Sequence, residues 1–178
     1  MLEVFIDALA YAAQGHVSQR RKGCDDIPYI NHPIKVVELL QKVGDETNID
    51  LFSAALLHDI LEDTSATEQE MRDKFGDSIT NIVVEVTDDM SLSYDDRKKA
   101  QIRKAPHLTP DAKKIKIADK ISNINDMLTL PINWSNHRKR QYVEWSIKVV
   151  AGCRNINPLL DKAFDEVCGK AEKILLDE

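Results

Sequence analysis

Two pairs of ionisable side chains stand close together in one segment of the chain and offer the clearest chemistry in the sequence. They are His58, Asp59, Glu62 and Asp63. At 100° per residue in a helix they fall on one face, and the apolar residues between Leu56 and Leu61 fall on the other. Glu62 lies one turn beyond His58, and Asp63 one turn beyond Asp59, so we expect the four side chains to converge on one strip.

Two interpretations of this strip are open from the residues alone. An ordinary amphipathic helix would carry it as a solvated acidic face. A metal site would use the same side chains as ligands. The second interpretation explains why a histidine stands among three acids that repel one another without a neighbouring cation.

Two further segments supply residues of the same kind. His32 directly precedes Pro33, which is typical of the start of a helix, and we expect the chain at His32 to be extended. In a predicted helix over residues 111–128, apolar side chains share one face, and Asp119, Asn123 and Asp126 share the other. Two histidine nitrogens with two carboxylates suit Mn, Fe, Co or Zn, and they are costly to bury without a cation.

Four motifs occur in an order that resembles the HD phosphohydrolase superfamily, and more specifically the hydrolase domain of RelA/SpoT-type alarmone enzymes. They are YINHP at Tyr29–Pro33, HDILED at His58–Asp63, VTDD at Val86–Asp89 and KIADKISN at Lys116–Asn123. The resemblance runs from about Ala8 to Val150. It is close to the stand-alone members, which include the metazoan SpoT homologue and the bacterial small alarmone hydrolases.

The resemblance implies an activity, namely metal-dependent removal of the 3′-pyrophosphate from ppGpp or pppGpp. The implied cofactor is Mn²⁺, with Zn²⁺ or another divalent ion as the alternative. The implied metal ligands are His32, His58, Asp59 and Asp119. No synthetase domain fits in 178 residues, so we expect the chain to degrade the nucleotide and not to make it.

The resemblance also implies roles around the metal. Glu62 and Asp63 match the acidic pair that handles the attacking water. Asn123 matches a residue near the ribose and the metal. Ser122 stands where relatives often carry a larger residue, and we expect this difference to affect substrate fit.

Basic residues that would accept the phosphates of the substrate stand in two clusters. The run from Gln19 to Lys22 has a solvated loop as its ordinary interpretation, but Arg matches phosphate bidentately. The resemblance matches Arg21 and Lys22 to phosphate and base contacts, and Arg138 to a contact with the 5′-phosphates. Tyr29 would either stack on a purine or pack beside Pro28, and we favour stacking.

Other functions of the same site stay open. Adenosine alarmones, (pp)pApp, and NADPH both present a phosphorylated ribose, so hydrolysis of either is an alternative. A nucleotide-sensing HD module without catalysis is the non-enzymatic alternative, although such degeneration normally removes ligands or the acidic pair.

The composition limits the partners and the compartment. The chain carries 24 Lys and Arg against 30 Asp and Glu, a net charge of −6, so it lacks the positive field that supplies non-specific affinity for nucleic acid. We expect a small phosphorylated nucleotide as the partner, with no nucleic acid and no membrane, and no pattern indicates an oligomer. We expect no signal peptide at the N-terminus, and the 3 cysteines, Cys24 among them, are expected to be free thiols of a cytoplasmic protein.

The elements that must position these residues are all predicted to be helices, because helical periodicity dominates and Gly and Pro number only 6 each. We predict an all-α fold, a compact HD-domain bundle of about eight to ten helices in a single domain over residues 1–178. The predicted helices begin with one ending near Gly15–His16 and one starting at Pro33, and continue over 51–62, 67–75, 79–86, 95–104, 111–128, 134–150 and 159–176. Residues 87–94 are predicted to form a loop.

Overall fold

A computed structural model describes residues 2–176, apart from the side chains of Cys24 and Asp25. Within that range the chain folds into helices with one small antiparallel hairpin. In chain order the elements are α1 (Leu2–Gly15), β1 (Arg20–Arg21), β2 (Cys24–Pro28), α2 (Asn31–Lys42), α3 (Ile49–Leu57), α4 (Ile60–Asp63), α5 (Glu68–Val86), α6 (Tyr94–Lys104), a 3₁₀ turn (Ala105–His107), α7 (Pro110–Thr129), α8 (Asn136–Ala151) and α9 (Pro158–Leu176). The all-α prediction is confirmed.

Two helices form the centre of the bundle. Every residue of α3 from Leu51 to Leu57 is buried, including Ser53, and this helix packs against α1, α2 and α5. The long helix α7 packs against α2, α5, α8 and α9. A helix that is apolar around its circumference belongs in a core, which describes α3, whereas α7 is surrounded by other helices. Both helices provide rigid supports for any side chain at their ends or edges.

The predicted single helix over residues 51–62 is wrong, because the chain breaks at His58 and Asp59. Helix α3 ends at Leu57, Asp59 has φ −103° and ψ −1°, and α4 begins at Ile60. The carbonyl of Ala55, which would accept from the Asp59 N–H in a continuous helix, accepts instead from His58 Nδ1 at 2.8 Å. A side chain that competes for a backbone acceptor in this way ends a helix.

The start of α2 also differs from the prediction. The helix begins at Asn31, so His32 lies in its first turn and is not extended. The N–H of His32 donates to Tyr29 O at 2.9 Å, and that of Ile34 to Ile30 O at 3.2 Å. Pro33 is compatible with this turn because the first N–H groups of a helix have no partner within it.

The hairpin of β1 and β2 was not predicted, because two residues in one strand are too few to produce a recognisable alternation. Gly23 has φ +79°, and a Cβ there would lie 3.0 Å from Ile132 Cα. The hairpin therefore lies directly on the loop between α7 and α8, and this contact requires glycine.

The remaining helices begin and end within two residues of their predicted positions. The predicted break at Gly76 is a kink inside α5, with φ +74° and ψ 175°. No helix within residues 2–176 is long and apolar enough to cross a membrane. Cys153 and Cys168 are free thiols, as expected, and the side chain of Cys24 lies outside the described part of the structure.

Candidate metal centre and active site

Four side chains from three helices meet at one buried point. His32 Nε2 lies 3.1 Å from Asp119 Oδ1 and 3.8 Å from Asp59 Oδ2. His58 Nε2 lies 3.0 Å from Asp59 Oδ2 and 3.9 Å from Asp119 Oδ1. One ligand atom each from His32, His58 and Asp59 falls within 4.8 Å of the others, which is the spacing of donors that share an ion.

The second nitrogen of each imidazole fixes which nitrogen faces this point. His58 Nδ1 donates to Ala55 O at 2.8 Å, and His32 Nδ1 lies 3.0 Å from Ser122 Oγ. Both Nε2 atoms thus face the carboxylates. His58 Nε2 is buried and makes no hydrogen bond to any residue in the range 2–176. A buried nitrogen of this kind, beside two carboxylates, fits a divalent metal ion with mixed N and O ligands.

The charges at this point are strongly coupled. Burial lowers the pKa of His58, but the carboxylates of Asp59 and Asp119 outweigh burial and raise it to about 9. Burial raises the pKa of Asp59, and the adjacent His58 and His32 reverse that effect and hold it well below its ordinary value. Burial also raises the pKa of Asp119, and Lys120 and His32 reverse that effect and hold it well below its ordinary value. Both carboxylates are therefore ionised, and they favour further positive charge at this point, either a proton on His58 or a metal ion.

Asp119 is held by two neighbours on α7. Its Oδ2 accepts from Lys120 Nζ at 2.9 Å, and its Oδ1 accepts from Asn123 Nδ2 at 2.5 Å. Lys120 is only 4 % exposed, and its ammonium lies 4.4 Å from the centre of the Trp145 ring. Although sequence analysis did not single out Lys120, a lysine on the buried side of a predicted helix is a signal, because an unpaired lysine is rarely buried.

The acidic pair, Glu62 and Asp63, lies in α4 after the break, and its two side chains have different contacts. Glu62 is half-buried, and its Oε1 accepts from the backbone N–H of Asp88 at 2.6 Å. Burial, followed by the charge of Asp59, raises the pKa of Glu62 to about 7. Asp63 is exposed, and its Oδ2 accepts from Gln19 Nε2 at 2.8 Å. The four side chains of this segment therefore do not form the single helical strip that was expected.

Arg21 is anchored to α7 and is not part of a solvated loop. Its guanidinium donates to Asn123 Oδ1 at 2.7 Å and to Asp126 Oδ2 at 2.7 and 2.9 Å. A chain of contacts thus runs from Arg21 through Asn123 to Asp119. The cation lies beside the candidate metal site, where it would face an anionic ligand.

The hydroxyl and the ring of Tyr29 contact other side chains of the protein. Its hydroxyl donates to Asp59 Oδ2 at 2.5 Å. Its ring lies 4.8 Å from the His16 ring, and the Arg21 guanidinium lies 5.4 Å from its centre. These contacts orient a candidate metal ligand; stacking on a base stays a prediction.

Lys22 and Arg138 meet at one aromatic ring. The cations lie 5.2 and 4.4 Å from the centre of the Trp134 ring. Lys98, which belongs to a basic run that sequence analysis did not select, lies 4.7 Å from the Trp145 ring. Cavities of about 200 and 390 Å³ adjoin these residues, and both are lined by Tyr94, Trp134 and Tyr142. An aromatic and cationic pocket of this kind suits a phosphorylated nucleotide.

Ser122 touches the candidate metal ligand His32, as described above, and is 2 % exposed. In the structure Ser122 contacts a candidate metal ligand, and an effect of this position on substrate fit stays a prediction. Its hydroxyl supports the imidazole of His32, which is a contact that shapes a metal site.

Sequence reasoning missed His16, which is 2 % exposed. Its Nδ1 lies 2.6 Å from Gln19 Oε1, and Gln19 in turn donates to Asp63. A signal was available, because Ala8, Ala12 and His16 recur every four residues on the buried side of α1. Asp88 belongs to the VTDD motif, but its contact with Glu62 is made by the backbone N–H, which no motif records.

The chain is similar to known proteins over most of its length. A protein-family model described as HD domain matches residues 8–144. The chain is 42 % identical over 163 residues to the guanosine-3′,5′-bis(diphosphate) 3′-pyrophosphohydrolase MESH1 of Mus musculus, with 91 % of each chain covered. It is 43 % identical over 160 residues to the protein of the same name from Homo sapiens, with 89 % of each covered. A solved structure, described as a metazoan ortholog of SpoT that hydrolyzes ppGpp and plays a role in starvation responses, superposes with a TM-score of 0.90 at 39 % identity and covers 94 % of both chains.

Proposed function

Because the chain belongs to the HD-domain family, we propose that it is a metal-dependent hydrolase that removes the 3′-pyrophosphate of ppGpp and pppGpp. Water is added across the bond between the ribose 3′-oxygen and phosphorus, and the products are GDP or GTP with pyrophosphate. The names and high coverage of the relatives support this substrate class. We further infer that residues 1–178 act as one HD-type domain.

The observation that carries the proposal is that four side chains lie together, those of His32, His58, Asp59 and Asp119. Among them, Nε2 of His58 is buried and makes no hydrogen bond within residues 2–176. These four residues would hold the ion, and Mn²⁺ is our proposed metal, with Zn²⁺ as the alternative. Such an ion supplies Lewis-acid stabilisation of phosphoryl oxygens and makes water more acidic. The carboxylate of Asp59 is oriented by the Tyr29 hydroxyl, and that of Asp119 by Lys120 and Asn123.

The acidic pair provides two different proton-handling groups. Glu62, with a pKa of about 7, is protonated in part at neutral pH and can give a proton to the departing ribose oxygen. Asp63 is exposed and accepts a hydrogen bond from Gln19, and its carboxylate can take a proton from the attacking water. A buried carboxyl group beside an exposed one suits acid and base roles in one reaction.

The cations around the aromatic pocket would offset the charge of the substrate. Arg21, Lys22 and Arg138 come from the hairpin and from α8, and they are near the candidate metal site or the Trp134 ring. Arg21 is paired with Asp126, so a phosphate would compete for a guanidinium that is already oriented.

Product release from purified, metal-stripped protein tests the proposal. The protein is given back Mn²⁺ or Zn²⁺, and ppGpp, pppApp and NADPH are supplied in parallel. We expect GDP and pyrophosphate from ppGpp only after metal is restored. Higher turnover of pppApp or NADPH would identify that nucleotide as the substrate. If metal is bound and none of the three is hydrolysed, the result would favour a nucleotide sensor.

The Asp63→Asn substitution tests the role of the acidic pair. Asparagine keeps the size of the side chain and removes its basicity, so we expect wild-type metal content and turnover lower by at least roughly 100-fold. Asp73→Asn, on the exposed side of α5, is the matched control. Normal turnover of Asp63→Asn with metal retained would exclude Asp63 from proton transfer.

A further inference from the structure

His16 lies buried at the end of α1, in contact with residues of the candidate site. The backbone N–H of His16 donates to Ala12 O at 3.0 Å, which continues the helical pattern, and its ring packs 4.8 Å from the Tyr29 ring. His16 Nε2 is buried and has no hydrogen-bond partner among residues 2–176. A buried polar atom without a partner costs free energy. The contacts made by Nδ1 and by the face of the ring offset this cost.

That other nitrogen determines the orientation of Gln19. A glutamine side chain has one acceptor oxygen and one donor nitrogen. Gln19 Oε1 lies 2.6 Å from His16 Nδ1, and Gln19 Nε2 donates to Asp63 Oδ2 at 2.8 Å. The proton of the first contact must be on His16 Nδ1, because a carbonyl oxygen only accepts. Rotating the amide by half a turn would place the carbonyl oxygen against the Asp63 carboxylate and lose the hydrogen bond to Asp63.

The backbone of this segment is fixed independently of the amide. The N–H of Gln19 donates to His16 O at 3.0 Å, and the N–H of Tyr29 donates to Gln19 O at 3.0 Å. The amide therefore extends from a rigid turn toward the short helix α4, which carries Asp63 and has no side-chain cap. Asp63 is exposed, and the contact with Gln19 limits the rotation of its carboxylate.

We propose that His16 is a positioning residue that acts through Gln19 to hold the Asp63 carboxylate in one orientation. Gln19 occupies Oδ2, which leaves Oδ1 free to meet a water molecule at the site. A reacting group held in one geometry reacts faster than one that rotates. This inference rests on the proposed role of Asp63 in hydrolysis.

Two substitutions separate the hydrogen bond from the packing of the ring. His16→Phe keeps an aromatic ring beside Tyr29 but has no donor, whereas His16→Asn keeps an N–H near the position of Nδ1 but has no ring. We expect His16→Phe to lower kcat roughly 10- to 100-fold, with KM, metal content and Tm close to wild type. His16→Asn should recover most of the lost kcat. His107→Phe, at an exposed histidine of the 3₁₀ turn, should leave the activity unchanged.

Combined variants show whether the effect passes through Gln19 and Asp63. Gln19→Leu should lower kcat as much as His16→Phe, and the double variant should be no slower than either single one. In an Asp63→Asn background His16→Phe should cost nothing further. Additive losses, or a loss of kcat that follows a loss of metal or of Tm, would show that His16 is only structural, and wild-type kcat in His16→Phe would overturn the proposal.

A measurement without turnover keeps this inference separate from the proposed function. In ¹⁵N-labelled protein we expect the His16 Nδ1 signal to be that of a proton-bearing nitrogen in a hydrogen bond, and Gln19→Leu should shift it. If the wild-type protein hydrolyses none of the nucleotides, the proposed function fails while this signal still tests the link from His16 to Gln19. An Nδ1 without a proton would overturn the inference directly.

Discussion

At the scale of single residues, the structure gives each ionisable group of the site a specific neighbour. Glu62 shares the acidic segment with Asp63, yet it accepts from a backbone N–H on the loop after α5, whereas Asp63 accepts from a side chain beside α1. Two adjacent acids thus have different environments, and the difference can be measured residue by residue.

Glu62 should make the stability of the metal-free protein depend on pH. Its pKa is raised from an ordinary value near 4.5 to about 7, chiefly by burial and then by Asp59. The folded protein therefore holds this proton more tightly than the unfolded chain. The resulting stabilisation is complete below pH 4.5, and it is lost as the pH rises through 7. Glu62→Gln cannot ionise and should not lose it.

We expect metal-free wild type to lose roughly 2–3 kcal/mol of unfolding free energy relative to Glu62→Gln as the pH rises through this range. Urea unfolding of both proteins at several pH values gives the difference. Glu172→Gln, an exposed acid on α9, should follow wild type throughout. Parallel curves for wild type and Glu62→Gln would contradict the assigned environment.

Ser122 should affect the affinity of the site for metal. Its hydroxyl lies 3.0 Å from His32 Nδ1, and removing a partner of a metal-ligating histidine typically weakens metal binding about 10-fold or more. Titration with a chelating dye should detect this loss in Ser122→Ala. Ser146→Ala, which removes another buried hydroxyl on α8, should keep the wild-type affinity; equal affinities of all three proteins would refute the role.

At the scale of elements, the interruptions of the helices matter as much as the helices themselves. The break between α3 and α4 lets His58 and Asp59 face the metal point while Glu62 and Asp63 contact other elements. The kink at Gly76 bends α5, whose last turn leads into the loop that supports Glu62. Both interruptions change the direction of the backbone so that the residues that follow can reach the site.

Gly76 and Gly169 form a matched pair that tests the kink. A Cβ at either position would meet nothing within 4 Å, but Gly76 has φ +74°. Alanine at position 76 is therefore strained by its backbone alone and should cost about 1–3 kcal/mol of unfolding free energy. Alanine at position 169, inside α9, should stabilise by about 0.5–1 kcal/mol. Chemical denaturation of both variants measures the signs, and a stabilising Gly76→Ala would mean that α5 is not kinked there.

At the scale of the whole molecule, the candidate ligands join separate parts of the bundle. His32 comes from α2, His58 and Asp59 from the end of α3, and Asp119 from the middle of α7. An ion bound by all four would connect these separate parts of the chain at one point, in addition to the contacts that already join them. Metal binding should therefore stabilise the entire fold.

We expect Mn²⁺ at about 100 times its Kd to add about 2.7 kcal/mol, which raises Tm by roughly 5–10 °C for a chain of this size. Thermal unfolding with Mn²⁺ and with a chelator measures the shift. His58→Ala removes one ligand and should not respond to Mn²⁺. A similar rise in Tm for this variant would indicate binding elsewhere on the acidic surface.

The sequence by itself determined the fold class and the chemistry of the site. Apolar residues at helical spacing predicted the helices because burial of one face dominates local structure. The histidines and acids predicted a metal site because a mixed set of nitrogen and oxygen donors is costly to bury without a cation, and the resemblance of the four motifs to a known family implied hydrolysis. The structure brings His32, His58, Asp59 and Asp119 together. These inferences depend on residue type and spacing, which a sequence displays.

Only the tertiary structure decided how the site is supported. The contacts of His16 with Gln19, Arg21 with Asp126 and Glu62 with the backbone of Asp88 join residues far apart along the chain or use backbone groups that no motif records. The break at His58 depends on a side chain competing for a single carbonyl. Local periodicity cannot reveal such contacts, because hydrogen-bond partners and electrostatic neighbours are set by packing in three dimensions.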